Sequence, residues 1–196
     1  MAGRPREFNR DVALKRARDL FWERGYEGVS MSDLVKRLGL ASARLYAAFG
    51  SKEDLFREAV ALYESNEGGF ADRALSEPKV AEAIQRMFRE GIELYTRKSG
   101  PRGCMVVSAA TNCTADNAAV MEWLAEHRRA RTAAIVKRLK RAVRESEVPQ
   151  KTDAQLLGDM YATVLHGISI QARDGVSKER LMAMVPPLIA LLQTRS

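Results

Sequence analysis

Few side chains in this sequence could do chemistry, and their types and spacing narrow what that chemistry is. No Ser/His/Asp pattern, phosphate-cradling glycine loop or metal-binding run stands out, so an enzyme is the weakest reading and no cofactor is called for. His127 and His166 have no carboxylate or cysteine at metal-ligand spacing. What remains is hydrogen bonding suited to nucleic acid. On a helical wheel through Leu45, Ala43 and Ala47 point outward with Arg44 and Tyr46 on their flanks. Small residues at the centre of an exposed face let a helix sink close to another surface. Arg44 can then reach a base edge or a phosphate, and the Tyr46 hydroxyl a phosphate oxygen. Ser30, Ser42 and Lys52 start the three helices around this face, and Lys52 beside a positive helix end can meet a phosphate. Arg4, Arg6 and Arg10 surround a proline ahead of the first helix, as in an arm that touches phosphates or a minor groove.

These residues need elements to hold them. Asn9 caps a first helix running to about Arg24, with Ala13, Ala17, Leu20 and Phe21 on one face and Trp22 across from it without an assigned role. Ser30 with Asp33 opens a second helix in the manner of a capping box, with Met31, Leu34, Val35 and Leu38 as its buried stripe. Gly39 suits the left-handed residue that ends it. In the third helix Ala41, Leu45, Ala48 and Phe49 form the inward face; Ala41 cannot cap, so Ser42 takes over or the first turn frays. Ser51 caps a fourth helix carrying Leu55, Phe56, Ala59, Val60 and Tyr63, ending near Gly68–Gly69. Two short helices joined by a tight turn, with a third attached, make a helix-turn-helix.

The rest also reads as helical, without strand-like alternation. Ser76-Glu77-Pro78 opens a fifth helix to about residue 97, and Cys104–Cys113 forms a short buried sixth. Within one helix those cysteines lie on opposite faces, ~13.5 Å apart along the axis, which excludes a disulfide between them. A long seventh helix spans about Asn117–Ser146; its basic residues, among them Arg128, Arg131, Arg138 and Arg144, read as a solvated face. Thr152 with Gln155 caps an eighth helix over 153–173, and Ser177 a ninth over 178–193 that Pro186-Pro187 kinks or breaks. These last two helices are more apolar than one small core needs, which points to pairing with the same helices of a second copy. Inside the second half, Met87, Tyr95, Cys104, Ser108, Thr111, Asn112, Trp123, His127 and His166 are candidates to line a small-molecule cavity.

A net charge of +7 over 196 residues fits a nucleic-acid partner, and the two cysteines are too sparse for a disulfide scaffold. No apolar run approaches the ~18–20 residues of a membrane helix, and the polar, basic N-terminus is no secretory signal. A cytoplasmic protein is the expectation.

Residues 11–56 resemble the DNA-binding domain of the tetracycline-repressor (TetR) family of bacterial transcription regulators. The matching positions are Leu20-Phe21, Gly25-Tyr26, Ser30, Leu34, Gly39, Leu45-Tyr46, Phe49, Lys52, Leu55 and Phe56. Members often carry Ser, Thr or Asn where Ala41 stands, and a histidine or second aromatic where Ala47 and Ala48 stand. The resemblance implies an all-α fold of about nine helices: a helix-turn-helix domain over 1–56 and a ligand-binding and dimerisation domain over 57–196. It implies a homodimeric repressor that binds a palindromic operator in double-stranded DNA and is released by an unidentified small molecule. Two other readings stand beside it: a transcription factor that senses an electrophile or oxidant through a cysteine, and a helical interaction module without DNA binding.

Overall fold

The computed structural model describes residues 8–193, and among these every regular element is helical. The N-terminal head consists of α1 (Arg10–Arg24), α2 (Met31–Leu38), α3 (Ser42–Phe49) and α4 (Lys52–Ser65). The body adds α5 (Phe70–Leu75), α6 (Val80–Tyr95), α7 (Met105–Ser108), α8 (Ala118–Arg144), α9 (Ala154–Arg173), α10 (Lys178–Met182) and α11 (Val185–Ala190). A helix stands at each of the nine expected places, the ninth broken into the pair α10 and α11, and α5 is additional.

The fourth helix stops at Ser65 rather than near Gly69, because Asn66 leaves helical geometry and its side-chain amide donates to the Leu62 carbonyl at 2.8 Å. A Cβ on Gly68 would lie 2.3 Å from the Tyr63 ring, so only glycine lets the chain turn back here. The short α5 that follows escaped the sequence reading. Its Phe70 packs edge-to-face on Tyr95, which is how it ties α6 to α4. The ninth helix breaks ahead of Pro186 and Pro187, which sit in the first turn of α11, where a missing N–H costs nothing.

Three local expectations are overturned. The sixth helix covers Met105–Ser108 only, because tertiary donors claim the carbonyls that would propagate it: Tyr26 N–H takes Ala109 O at 2.6 Å and Arg128 takes Val106 O at 3.0 Å. Cys104 is buried and Cys113 half-buried in the loop beyond, both free, so their separation comes from chain direction and not from one helix. Asp153, not Thr152, caps α9, accepting from Gln155 N and Leu156 N at 3.0 Å each. The Thr152 hydroxyl is buried without a partner.

The basic face of α8 is not uniformly solvated either. The side chain of Arg138 is 3% exposed and that of Arg131 9%. Arg138 pairs with Glu147 at 2.9 Å and donates to Pro78 O at 3.0 Å, while Glu147 accepts from Val80 N–H at 2.6 Å. This clamp holds the end of α8 against the start of α6. Between them, α8 and α9 make the longest packed pair, with Gly158 admitting Val136 where a Cβ would stand 2.4 Å from its methyl carbon.

Candidate DNA-reading surface and its link to the core

The head is built by caps and one apolar knot. Asn9 caps α1, Ser30 and Ser51 form full capping boxes with Asp33 and Asp54, and Gly39 ends α2 at φ 69° in the left-handed region. Phe21, Tyr26 and Phe56 interlock with ring centroids 5.0–6.3 Å apart, fixing α4 across α1. Onto this support α3 docks through Leu45 and Phe49, both buried.

The opposite face of α3 is open. Ser42, Ala43, Arg44 and Ala47 are exposed, and Tyr46 is 48% exposed. Arg44 forms no ion pair among the described residues, so its guanidinium is free for an incoming anion. Ala41 departs from expectation: it lies exposed at the N-cap rather than inward, and no side chain caps α3. Ser42 does not substitute, because it already sits inside the helix.

The flanking basic residues separate into different roles. Arg10 is committed internally: it donates to Glu58 at 2.6 Å and to Ala48 O at 3.2 Å, and stacks over Phe49. It therefore braces the end of α3 instead of extending an arm. Arg4 and Arg6 lie outside the described residues. Lys52 lies with its ammonium 4.2 Å from the Tyr26 ring centroid, and partial burial pulls its pKa down, opposed by Glu27. Ser30 is the cap of α2, its hydroxyl engaged by Asp33.

A second set of contacts, invisible as a motif, ties this head to the body. Glu27 accepts from Thr114 N–H at 2.6 Å, Thr114 O–H at 2.8 Å and the Asn117 amide at 2.9 Å. Those hydrogen bonds, Asn117's foremost, hold the Glu27 carboxyl down at about 2. Arg173, at the end of α9, donates to Trp22 O and Glu23 O at 3.2 Å each and to the Ser108 hydroxyl at 3.1 Å. Trp22, without a role in the sequence, is fully buried: its indole N–H donates to Gly103 O at 3.1 Å, and Arg97 lies over its ring. Only the fold reveals these partners, which lie 65 to 151 residues apart along the chain.

The candidate ligand residues do not line one cavity. Met87, Tyr95 and Cys104 are in the core, and Ser108 is half-buried with its hydroxyl on the Cys104 carbonyl at 3.0 Å. Thr111 and Asn112 are exposed on the loop after α7. Trp123 packs between Phe56, Arg57 and His127 at the head–body junction, and His127 pairs with Glu64 at 2.9 Å. His166 lines a groove of about 780 Å³ between α8 and α9. Burial, then Arg131 and Arg128, push its pKa down to about 4. What the fold does gather is a tight cluster of Tyr63, Tyr95, Cys104 and Arg131, beside a cavity of about 260 Å³ that Arg131 walls together with Glu64, Gly68 and His127. Tyr63 and Arg131 were missing from the candidates: one looked like helix core, the other like a solvated cation.

A capped helix-turn-helix with an open third-helix face, on a helical body, is a known architecture. The model of bacterial regulatory proteins of the tetR family matches residues 13–59, and the tetracyclin repressor-like C-terminal domain matches residues 80–184. The chain belongs to the TetR family. The HTH-type transcriptional repressor ComR of Escherichia coli (strain K12) is 31% identical, covering 96% of this chain and 91% of its own. Repressor BdcR of the same organism is 31% identical over 92% of this chain and 87% of its own. Among solved structures, a cysteine mutant of the TetR family regulator CifR, complexed with 26-bp double-strand operator DNA, superposes with a TM-score of 0.90 at 41% identity, covering 96% of this chain and 98% of that one. As a TetR-family member this chain is a DNA-binding transcription regulator. The reading as an interaction module without DNA binding falls away. Among the described residues no helix is long and apolar enough to cross a membrane.

Proposed function

We propose that the protein is a cytoplasmic, homodimeric repressor that binds a palindromic operator and releases it when a small-molecule effector binds the body. The carrying observation is the open face of α3: Ala43 and Ala47 leave room for the groove floor while Arg44 and Tyr46 stand free on either side. Ser30, Ser42 and Lys52 add backbone contacts, and Arg4 and Arg6 extend the set along the DNA. We divide the chain at residue 56 into a reading domain (1–56) and a regulatory and dimerisation domain (57–196), with α4 as the rod that belongs to both.

Dimerisation has its own support. Leu156, Met160 and Ile170 are 59%, 43% and 43% exposed. With Thr163 and Gly167 they repeat at the four-then-three spacing of a helix-packing seam, and a Cβ on Gly167 would meet nothing within 4 Å. A second copy of α9 fits there, with 178–193 beside it, and the two α3 helices then fall one DNA turn apart, ~34–36 Å. The effector acts by binding the DNA-incompetent arrangement more tightly.

Selection of a bound sequence from a random DNA pool tests this directly; the expected product is a palindrome with half-sites one turn apart. On that site Arg44→Ala should weaken binding by about 1–3 kcal/mol and flatten the salt dependence, while Tyr46→Phe should weaken binding with the salt slope kept. Unchanged affinity and salt slope in both variants would sink the docking assignment.

A further inference from the structure

The cluster in the body has a centre, and it is the sulfur of Cys104. Tyr63 O–H donates to this sulfur at 3.3 Å and Arg131 N–H at 3.5 Å. Tyr95 O–H is fully buried facing the same sulfur, without the full geometry of a hydrogen bond to it. The main chain of Cys104 is pinned on both sides, its N–H on the Ser169 hydroxyl at 2.7 Å and its carbonyl under Ser108. Burial, reinforced by Cys104, pushes both phenols well above their ordinary range, so they keep their protons and remain donors. Burial opposes the Arg131 charge, contact with the Cys104 sulfur favours it, and the guanidinium stays charged. A sulfur ringed by one cation and two phenolic hydroxyls has donors in place for an oxygen bonded to it.

We propose that Cys104 is a redox site at which a hydroperoxide oxidises the sulfur to a sulfenic acid, and that this step is the effector event of the repressor. The inference rests on the operator-binding reading above. Burial argues for a small reagent: Cys104, Tyr63 and Tyr95 have no exposed surface, and Arg131, which donates to the sulfur, also lines the 260 Å³ cavity. Arg131 is held loosely in that position, 3.4 Å from Gly68 O and 4.0 Å from Glu64. In the reaction the sulfur attacks one peroxide oxygen, the S–O bond forms and the O–O bond breaks. The thiol proton ends on the departing oxygen, which leaves as water when the oxidant is hydrogen peroxide. Sulfur loses an electron pair and the peroxide gains it. The added oxygen meets Tyr95 O–H, the donor without a full hydrogen bond. It also intrudes between Arg131 on α8 and Tyr63 on α4. Because α4 begins at Lys52, directly after α3, a displacement of Tyr63 and Glu64 changes how α3 is presented.

The test uses the purified full chain on its selected operator, with hydrogen peroxide as the probe. Sulfenic acid is trapped with dimedone and mapped by mass spectrometry while operator affinity is read by fluorescence anisotropy. The adduct is expected at Cys104, with affinity falling at least about tenfold and returning on treatment with dithiothreitol. Cys113→Ser should keep the response and Cys104→Ser should lose it. Tyr95→Phe removes a buried hydroxyl that makes no full hydrogen bond, so the fold should hold, while oxidation of Cys104 slows about tenfold. The proposal is overturned if operator is released with Cys104 still reduced, or if oxidised Cys104 leaves affinity unchanged. Reduced protein that binds no DNA would sink the operator reading alone, and the adduct map would still decide whether Cys104 is the oxidised site.

Discussion

The head and the body are stabilised by different kinds of contact. In the head, the helix ends are set by short-range devices: Asn9, Ser30, Ser51 and Gly39 each act within four residues of their own position, and one aromatic knot with the Arg10–Glu58 pair joins the helices. In the body and where it meets the head, the decisive contacts join distant segments: Arg138 with Pro78, Cys104 with Arg131 and with Tyr63 of α4, Arg173 with Trp22 of α1. A head held locally can move as a unit without losing its shape. A body held by buried polar contacts between helices has discrete arrangements, which is what a switch requires. The boundary between them is crossed by a defined set of polar groups, Glu27, Trp22, Arg173, Glu64 with His127, and Tyr63 with Cys104 among them.

If that contrast is right, the largest penalty from a single substitution falls in the body, at the α8–α6 clamp. Arg138→Met strands Glu147, whose side chain is 11% exposed and whose other partner is the Val80 N–H. Breaking one member of such a pair costs about 3–5 kcal/mol, while replacing both with apolar residues of similar size costs far less. Thermal denaturation of Arg138→Met and of the Arg138→Met, Glu147→Leu pair should therefore differ, the double variant melting higher. Equal destabilisation in both would mean that packing, not the buried charge, dominates there.

The next effect is on pH dependence and lies at the boundary. The Glu27 carboxyl sits at about 2 in the folded chain against an ordinary value near ~4.3, so its contribution is fully present above the unfolded value. Stability should fall as pH drops from about 5 toward about 2, because the unfolded chain takes up the proton first. Glu27→Gln should flatten that part of the melting curve and loosen the head, visible as faster amide exchange at Tyr26, whose N–H is bonded to Ala109 O. A variant with the wild-type acid limb would show that the hydrogen bonds of Thr114 and Asn117 are not what ties the head down.

The same contrast explains what was legible in the sequence. Residues 9–65 could be read almost to the residue, because caps, a left-handed glycine and helical spacing are local signals. Ala41, inward on the wheel but outside the helix as its N-cap, and the end of the fourth helix, at Ser65 rather than Gly69, are the exceptions. In the body, helix existence was legible and helix purpose was not. Arg131 and Arg138 repeat at helical spacing like any solvated cations; what buries them is Cys104 and Glu147, which spacing within α8 cannot show. The ligand candidates divide for a related reason. Polar residues inside apolar helices read alike, yet His166 lines the groove between α8 and α9, Trp123 and His127 stand at the junction, and Tyr63 and Arg131 complete the cluster around Cys104.

Ala41 also supplies the smallest and most local test. It is the one helix start in the head whose N-cap makes no side-chain bond, and it precedes the recognition helix. Its backbone is extended at φ −65°, ψ 146°, the geometry in which a serine oxygen reaches the amides of the first turn. Ala41→Ser should therefore stabilise α3 by about 0.5–1 kcal/mol, raising the melting temperature by only about 1–4 °C. Because the gain is confined to one turn, slower amide exchange at Arg44 and Leu45 is the sharper readout. Operator affinity should improve at most about threefold, since a firmer first turn lowers the cost of ordering Arg44 against DNA without adding a contact. If the melt and the exchange rates are both unmoved, α3 is already held by Leu45 and Phe49 alone, and packing rather than capping sets its stability. A rise in stability with a loss of affinity would instead mean that the bare start of α3 is needed for close approach to the phosphates.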